Sequence, residues 1–330
     1  MIYMKKKIKL LYVYEERIPT ELRNLVEENI KKYNFLYKKM TYKLSKPKQK
    51  ELFSWADAVF FAPGRFISSD VLEVGKKNIK IFQLWSSGFE KFNFQAAKKL
   101  KIPLSNNGGE NAIAVSEMTV LLMLAINRKL SHFSKRASSG NWKNNSHGVD
   151  LFEMYNKTVG IIGFGNIGKK VARICKSFGM KILYYDKIKL SKKLEKKFSV
   201  NYAAKNMLLN KSDIITLHLH LNKKTKNILN KKSFIEMKRK PILINVSRSR
   251  LVDNKELLKA LNKNIIRGAG LDVHDIEPTI KNDALNNHPG VVATPHIAGS
   301  TKDTYLRVIN GCLKNIKNTI NNKNDIKWEV

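Results

Sequence analysis

Cysteine is scarce in this 330-residue chain, which contains Cys175 and Cys312 and no other. Two cysteines so far apart provide neither a disulfide framework nor the spacing of metal ligands, and they favour a reducing compartment. The sequence also lacks an apolar run approaching the roughly eighteen residues that would span a bilayer. We therefore expect a cytoplasmic protein with no membrane-spanning segment and no metal site.

Acidic residues are few as well, since 27 Asp and Glu stand against 62 Lys and Arg and leave a net charge of +35. Nucleic acid, an anionic membrane or an acidic substrate would each suit such a charge. The lysines are scattered, however, with no Arg-rich cluster and no basic stripe with interleaved aromatics. We therefore expect compositional bias rather than a nucleic-acid surface, although the charge would still attract anionic small molecules.

Strand-like and helix-like segments alternate through most of the chain. The basic start and short apolar stretch at residues 1–17 resemble a secretory signal, but charges follow at once and no small-residue cleavage site appears, so a first strand is expected. The expected strands are 8–14, 56–62, 79–85, 158–163, 181–186, 213–219, 241–247, 266–273 and 291–296. The expected helices are 19–32, a short one capped by Ser69-Asp70, 112–130, 166–178 and 301–321, and 138–148 is expected to be a loop. This alternation predicts α/β architecture with parallel sheets.

A glycine motif, Gly163-Phe164-Gly165-Asn166-Ile167-Gly168, follows an apolar strand and opens a helix. The first glycine permits a tight turn, the second leaves room for a pyrophosphate, and the third lets helix and strand pack closely. Alone, this pattern also occurs in ordinary glycine-rich turns. Asp186 ends the next strand 18 residues beyond Gly168, close to the ~20 residues expected for a carboxylate that binds the adenosine ribose. Because that carboxylate would repel a 2′-phosphate, NAD is expected in preference to NADP.

Three further segments each follow an apolar strand: Asn245-Val246-Ser247-Arg248, Gly270 to Pro278, and Thr294 to Gly299. Together with Ser86-Ser87-Gly88-Phe89 and the stretch 106–117, they resemble the signatures of the D-isomer-specific 2-hydroxyacid dehydrogenase family, along nearly the whole chain. Singly, a histidine after proline, a loop glutamate or one more arginine would mean little. At these spacings behind a dinucleotide motif, they predict a catalytic set.

The resemblance implies the role of each residue in that set. His296 would exchange the proton of the substrate hydroxyl while hydride passes between the substrate C2 and the nicotinamide, because histidine titrates near neutrality. Glu277 would orient the imidazole and stabilise its protonated form. Arg248 would bind the substrate carboxylate through its planar fork. The expected substrate is a small D-2-hydroxy acid or 2-oxo acid.

The resemblance also implies the remaining contacts. The substrate-binding loop would be Ser86, Ser87 and Gly88, acting through backbone N–H groups. The predicted cofactor-binding residues are Gly163, Gly165, Asn166, Ile167, Gly168, Asp186, Leu219, Val246, Ser247 and Asp272, the last of them near the nicotinamide carboxamide.

Two positions depart from the family pattern. His220 stands where the family usually has Pro, which puts the shape of that loop in doubt, and Ser249 stands where Gly usually follows the arginine. His218 and His220 also form a His-x-His pair, but the sequence offers no third metal ligand, and alternate residues at a strand end are more often ordinary contacts. For Ser249 we expect only a modest change of backbone.

The fold expected from the resemblance has two Rossmann-like or flavodoxin-like domains with an active-site cleft between them. Residues 1–105 and 297–330 would form the substrate-binding domain, and residues 106–296 the NAD-binding domain. Family members are commonly dimers, and the apolar segment 112–130 suits a homodimer contact.

Alternative functions stay open at this point. Some relatives of this fold sense NAD and recruit partners as corepressors, and a phosphite dehydrogenase would share the fold. A formate enzyme is disfavoured, because such enzymes typically carry Gln where Glu277 stands. Arg65 would suit a substrate with a second anionic group if its side chain pointed into the pocket.

Overall fold

A computed structural model describes residues 7–142, 145–321, 326–327 and 329–330. The chain divides into two compact units, Met1–Asn111 with Thr301–Val330 and Ala112–Ser300, which we call the first and second unit. Among the described residues, no helix is both long and apolar enough to cross a membrane.

The first unit is built on a five-stranded parallel sheet with the order β2-β1-β3-β4-β5. Its strands are β1 (Lys9–Tyr14), β2 (Leu36–Thr41), β3 (Ala58–Ala62), β4 (Ile81–Leu84) and β5 (Leu104–Ser105). Its helices are α1 (Thr20–Lys32), α2 (Lys46–Trp55), α3 (Ser69–Val74), α4 (Phe94–Leu100) and α12 (Lys302–Asn321). Every residue of β3 is buried, as expected for a central strand with helices on both faces.

The second unit holds a seven-stranded parallel sheet with the order β12-β11-β10-β9-β6-β7-β8. Its strands are β6 (Thr158–Ile162), β7 (Lys181–Tyr185), β8 (Asn201–Tyr202), β9 (Ile214–Leu217), β10 (Ile242–Asn245), β11 (Gly268–Leu271) and β12 (Val291–Ala293). Its helices are α5 (Ala112–Asn127), α6 (Leu130–Ser138), α7 (Asn166–Ser177), α8 (Lys192–Phe198), α9 (Lys205–Lys211), α10 (Lys231–Ile235) and α11 (Asn254–Asn262). The α/β class with parallel sheets is therefore confirmed.

Some predicted boundaries were wrong. The apolar helix ends at Asn127 rather than 130, because Lys129 has a left-handed backbone with φ of 47° and a new helix, α6, begins at Leu130. That helix runs to Ser138, where the sequence predicted the start of a loop. The cap of α3 is Ser68, one residue before the predicted pair. Most of the predicted strands end one to three residues before their predicted carboxyl end. The residues beyond the observed strand ends form the loops described below.

Candidate active site

The carboxyl ends of all strands in a parallel sheet lie at one edge, and in the second unit that edge gathers nearly every predicted site residue. Following the sheet order from β12 to β7, the strand ends lead into His296, Glu277, Arg248, Leu219, Gly163 and Asp186. The predicted catalytic residues thus follow three neighbouring strands. Most of the predicted cofactor residues follow the next three, whereas Val246 and Ser247 follow β10 and Asp272 follows β11. Ligands of open α/β sheets bind at this edge.

The glycine loop has the geometry that a dinucleotide needs. Gly163 has φ of +97°, and a Cβ there would overlap the carbonyl of His218. A Cβ on Gly168 would overlap the carbonyl of Gly163, whereas one on Gly165 would meet nothing within 4 Å. Gly165 is the N-cap of α7 and has no side chain to cap the first amides of that helix. The open space at Gly165, beside a helix N-terminus, fits a pyrophosphate group.

Asp186 is held beside this loop by two backbone contacts. Its Oδ2 accepts a hydrogen bond of 2.6 Å from the N–H of Phe164, and its Oδ1 accepts one of 3.2 Å from the N–H of Ile188. The Phe164 ring packs on Tyr184 with centroids 4.6 Å apart, which fixes the turn. Each carboxylate oxygen keeps a second lone pair, so that Asp186 is able to accept ribose hydroxyls.

Arg248 follows a turn that Asn245 organises. The buried Asn245 side chain accepts from the N–H of Ser247 at 3.1 Å and donates to the carbonyl of Arg248 at 3.0 Å. The Ser247 hydroxyl donates to the carbonyl of Leu217 on the next strand at 2.7 Å, and Val246 is buried. One Arg248 Nη donates to the carbonyl of Ser247 at 2.8 Å. This turn places the half-buried Arg248 just beyond the end of β10.

His296 and Glu277 form a close pair. The imidazole Nδ1 lies 3.0 Å from each carboxylate oxygen, and both side chains are partly exposed, at 47% and 29%. A carboxylate only accepts, so Nδ1 carries the proton and Nε2 is the nitrogen left to exchange one with a substrate. The N–H of His274 also donates to Glu277 Oε1 at 3.2 Å.

Asp272 holds the loop that carries His296. Its carboxylate is fully buried and accepts from the Thr294 hydroxyl at 2.6 Å and from the N–H groups of Ile297 and Ala298 at 2.8 and 2.7 Å. His296 itself has a left-handed backbone with φ of 56°, which costs of order 1 kcal/mol or more for a residue with a Cβ. These three bonds stabilise the turn. The predicted contact of Asp272 with the carboxamide stays a prediction.

His218 lies at the end of β9 and is partly buried. Its Nε2 lies 3.0 Å from the Thr216 hydroxyl, and its Nδ1 is buried with no hydrogen-bond partner among the described residues. Burial lowers the pKa of His218 to about 3, so the ring is neutral at physiological pH. Within the described ranges, no group of three or more His, Cys, Asp or Glu side chains has the arrangement of a metal site.

The loop Ser86-Ser87-Gly88 lies in the first unit, after β4. The Ser86 hydroxyl donates to the carbonyl of Gly88 at 2.7 Å, and the Ser87 hydroxyl lies 2.7 Å from Asn107 Oδ1. The hydroxyls are thus engaged within the unit, and the contact of the backbone N–H groups with a carboxylate stays a prediction. Arg65 is paired with Glu15, whose pKa is lowered by that hydrogen-bonded guanidinium; the conditional role of Arg65 toward a second anion therefore loses support.

Sequence reasoning missed several residues of this site. Asn245, Thr294 and His274 each make a hydrogen bond that shapes a site loop, yet none belongs to the predicted set. Asn245 could have been found, because it is a polar residue at the end of an apolar strand. The His274 contact has no sequence signal, since it depends on how two loops meet.

Comparison with known proteins agrees with this arrangement. Residues 120–298 match the model of the D-isomer specific 2-hydroxyacid dehydrogenase NAD-binding domain. A glyoxylate reductase of Korarchaeum cryptofilum is 34% identical over 252 residues, which are 76% of this chain and 75% of that protein. A hydroxypyruvate reductase of Thermotoga maritima is 35% identical over 244 residues, 73% of this chain and 78% of that protein.

A solved structure is similar over almost the full length. The D-lactate dehydrogenase of Lactobacillus jensenii, crystallised with NAD+, is 30% identical, has a TM-score of 0.82, and the alignment covers 98% of this chain and 99% of that chain. The chain described here belongs to the D-isomer-specific 2-hydroxyacid dehydrogenase family. It is an NAD-dependent oxidoreductase that acts on hydroxy or oxo acids.

Proposed function

We propose that this chain interconverts a small 2-oxo acid and its D-2-hydroxy acid, with His296 as the proton-exchanging residue, Glu277 as its partner and Arg248 as the carboxylate-binding cation. The observation that carries this proposal is the His296–Glu277 pair, with Nδ1 at 3.0 Å from both carboxylate oxygens. That pairing leaves Nε2 to exchange a proton with the substrate oxygen. NAD would supply the hydride acceptor, and NADH the donor.

The residues of this chain have separate tasks in that reaction. Protonated His296 gives its Nε2 proton to the oxygen at C2 during reduction and takes it back during oxidation. Glu277 stabilises the imidazolium, because a carboxylate beside it favours the charged form. The Arg248 fork binds the substrate carboxylate in two places, which orients C2. We assign the backbone of Ser86, Ser87 and Gly88 to the same carboxylate.

The cofactor assignment follows the sheet edge of the second unit. We propose that Gly163, Gly165 and Gly168, with the N-terminus of α7, hold the pyrophosphate, and that Asp186 binds the adenosine ribose. The remaining assigned contacts are Asn166, Ile167, Leu219, Val246, Ser247 and Asp272. Residues 106–296 would be the NAD-binding domain, and residues 1–105 with 297–330 the substrate-binding domain.

The relatives suggest which substrates to try first. Two of them are named for reduction of glyoxylate and hydroxypyruvate, and one for lactate. The test is the absorbance of NADH at 340 nm with glyoxylate, hydroxypyruvate and pyruvate, repeated with NADPH. Turnover with at least one 2-oxo acid supports the proposal. If NADH binds but no 2-oxo acid is reduced, a sensing role or a phosphite substrate becomes the better account.

Three further expectations belong to this proposal. A homodimer is supported by Ile113 and Leu121, two apolar side chains of helix α5 that leave 41% and 52% of their surface exposed. The cytoplasmic location and the absence of a nucleic-acid partner stay predictions. Gel filtration with light scattering tests the homodimer. A DNA-binding assay at several salt concentrations tests the expected absence of a nucleic-acid partner.

A further inference from the structure

The segment His274–Glu277, which we call the Glu277 loop, has little apolar packing to hold it. Within it, Ile276 is 63% exposed, and the Glu277 side chain is 29% exposed. Ion pairs and hydrogen bonds at such exposure hold their geometry weakly, because water competes for the same donors and acceptors and long side chains keep their conformational freedom. Something else must therefore fix Glu277 relative to His296.

One contact joins this loop to the segment that carries Arg248. The hydroxyl of Ser249 donates to Asp275 Oδ1 at 2.7 Å and accepts from Asn254 Nδ2 at 2.7 Å. Ser249 is 7% exposed, whereas Asp275 is exposed, so the contact is buried at the serine and open to water at the carboxylate. Ser249 directly follows Arg248, and Asp275 lies two residues before Glu277. A glycine at position 249 would have no hydroxyl to make this bond.

A second contact joins the loop to the segment that carries His296. The His274 imidazole Nε2 lies 2.9 Å from the carbonyl of Thr294. A carbonyl only accepts, so Nε2 carries a proton in this contact. The same carbonyl accepts from the N–H of His296 at 3.0 Å. His274 therefore contacts the backbone of the His296 turn with its side chain and Glu277 with its own N–H, at 3.2 Å.

We propose that Ser249 and His274 are positioning residues that hold the Glu277 loop between the Arg248 and His296 segments, and thereby keep Glu277 aligned with His296. This inference rests on the proposed function only in the role given to the pair, because the geometry itself is measurable without turnover. Neither residue touches the reacting atoms, and both act through Glu277.

Kinetics of the single variants give the first test. Ser249→Ala and His274→Phe should each lower kcat for 2-oxo acid reduction by ~10-fold, because small misplacements of an orienting group are costly, while the Kd for NADH stays unchanged. The pH profile of kcat should also differ from that of the parent, because the carboxylate no longer holds the same position beside the imidazole. His274→Gln keeps an N–H donor and should recover most of the loss. Asp275→Asn keeps the acceptor of Ser249, and should be milder than Asp275→Ala.

Ser233→Ala is the matched control. Ser233 is also a buried serine of the second unit, and its hydroxyl donates to the carbonyl of Ile228 at 3.2 Å, away from the site loops. This variant should lose stability to urea as Ser249→Ala does, but keep the kcat and the pH profile of the parent. Equal kinetics in Ser249→Ala and Ser233→Ala would overturn the proposal.

A readout without turnover separates this proposal from the proposed function. The Nδ1 proton of His296, hydrogen-bonded to Glu277, should give a downfield NMR signal that His296→Asn removes and that Ser249→Ala and His274→Phe weaken or shift. An unchanged signal in both variants overturns the positioning role, whatever the activity. A signal that shifts as expected in a protein with no turnover supports the positioning role and refutes the proposed reaction.

Discussion

The carboxylate of Asp272, a fully buried residue, accepts hydrogen bonds from the two peptide N–H groups that follow His296. Those two bonds close a turn in which His296 has a positive φ of 56°. The proposed base is therefore held by its backbone as well as by its side-chain partner. A catalytic group needs supporting hydrogen bonds of this kind, because they hold it in its productive geometry.

Replacing that acid gives the first prediction. In Asp272→Asn one carboxylate oxygen becomes an NH2 group, which would face the N–H or O–H donors that now point at it. The variant should lose ~2 kcal/mol of unfolding free energy, because buried donors are left unpaired, and kcat should fall with it. Urea unfolding and 340 nm kinetics measure both. Thr294→Val, which removes one of the three donors, should show a smaller loss of the same kind; full stability in Asp272→Asn would contradict this description.

Substitutions at two glycines of the cofactor loop should distinguish an effect on stability from an effect on NADH binding. Gly163→Ala places a Cβ against the carbonyl of His218 at a φ of +97°, and should cost about 2 kcal/mol of stability together with NADH affinity. Gly165→Ala has φ of −80° and no neighbour within 4 Å of its new Cβ. It should therefore keep the parent's melting temperature but bind NADH more weakly. If both variants bind NADH like the parent, the pyrophosphate does not lie on this loop.

Cofactor choice is predicted to depend on Asp186. In Asp186→Ala the ribose loses a hydrogen-bond acceptor, and the negative charge that repels a 2′-phosphate is gone. KM for NADH should rise ~10-fold, as one lost charged hydrogen bond implies, and KM for NADPH should fall. The ratio of the KM values for NADH and NADPH within one variant serves as the control. The N–H of Phe164 also loses its acceptor in Asp186→Ala, and this loss should affect both cofactors equally. An unchanged ratio would show that discrimination lies elsewhere.

The partly buried His218 makes stability depend on pH. Its pKa is lowered from 6.5 to about 3 by burial, so between these values the unfolded chain binds a proton that the folded chain refuses. The stabilising effect of the neutral ring is complete above pH 6.5 and is lost as pH falls toward 3, by at most ~1.4 kcal/mol per pH unit. His218→Gln should flatten the pH dependence of urea unfolding in that window. His220→Gln, at an exposed position two residues away, should leave the slope unchanged, and equal slopes in both variants would contradict the assignment.

The sequence predicted the central strands better than the edges. β6, β9 and β10 are mostly apolar, which is typical of parallel strands buried on both faces. By contrast, β2 reads Leu-Tyr-Lys-Lys-Met-Thr and escaped detection, because an edge strand faces water and needs no apolar pattern. The short helices α8 to α11 also gave weak signals, since each buries few residues.

Much of the candidate site was also readable, for a different reason. The predicted site segments each follow a strand directly, so the parallel topology alone brings them to one edge of the second unit's sheet. They are the glycine loop, Asp186 and the segments of Arg248, Glu277 and His296. The contacts between loops were not readable. The bonds from Ser249 to Asp275 and from His274 to Thr294 join residues 26 and 20 positions apart, and no local pattern specifies which loop side chains will meet.

The central claim is that His296 exchanges the proton, and the most direct measurement compares His296→Asn with the parent. NADH affinity is measured by fluorescence, and reduction of the best 2-oxo acid at 340 nm. We expect His296→Asn to lose at least ~100-fold in kcat, because a general acid–base group is removed, and to keep the NADH affinity of the parent. A variant that turns over at the parent's rate would contradict the central claim.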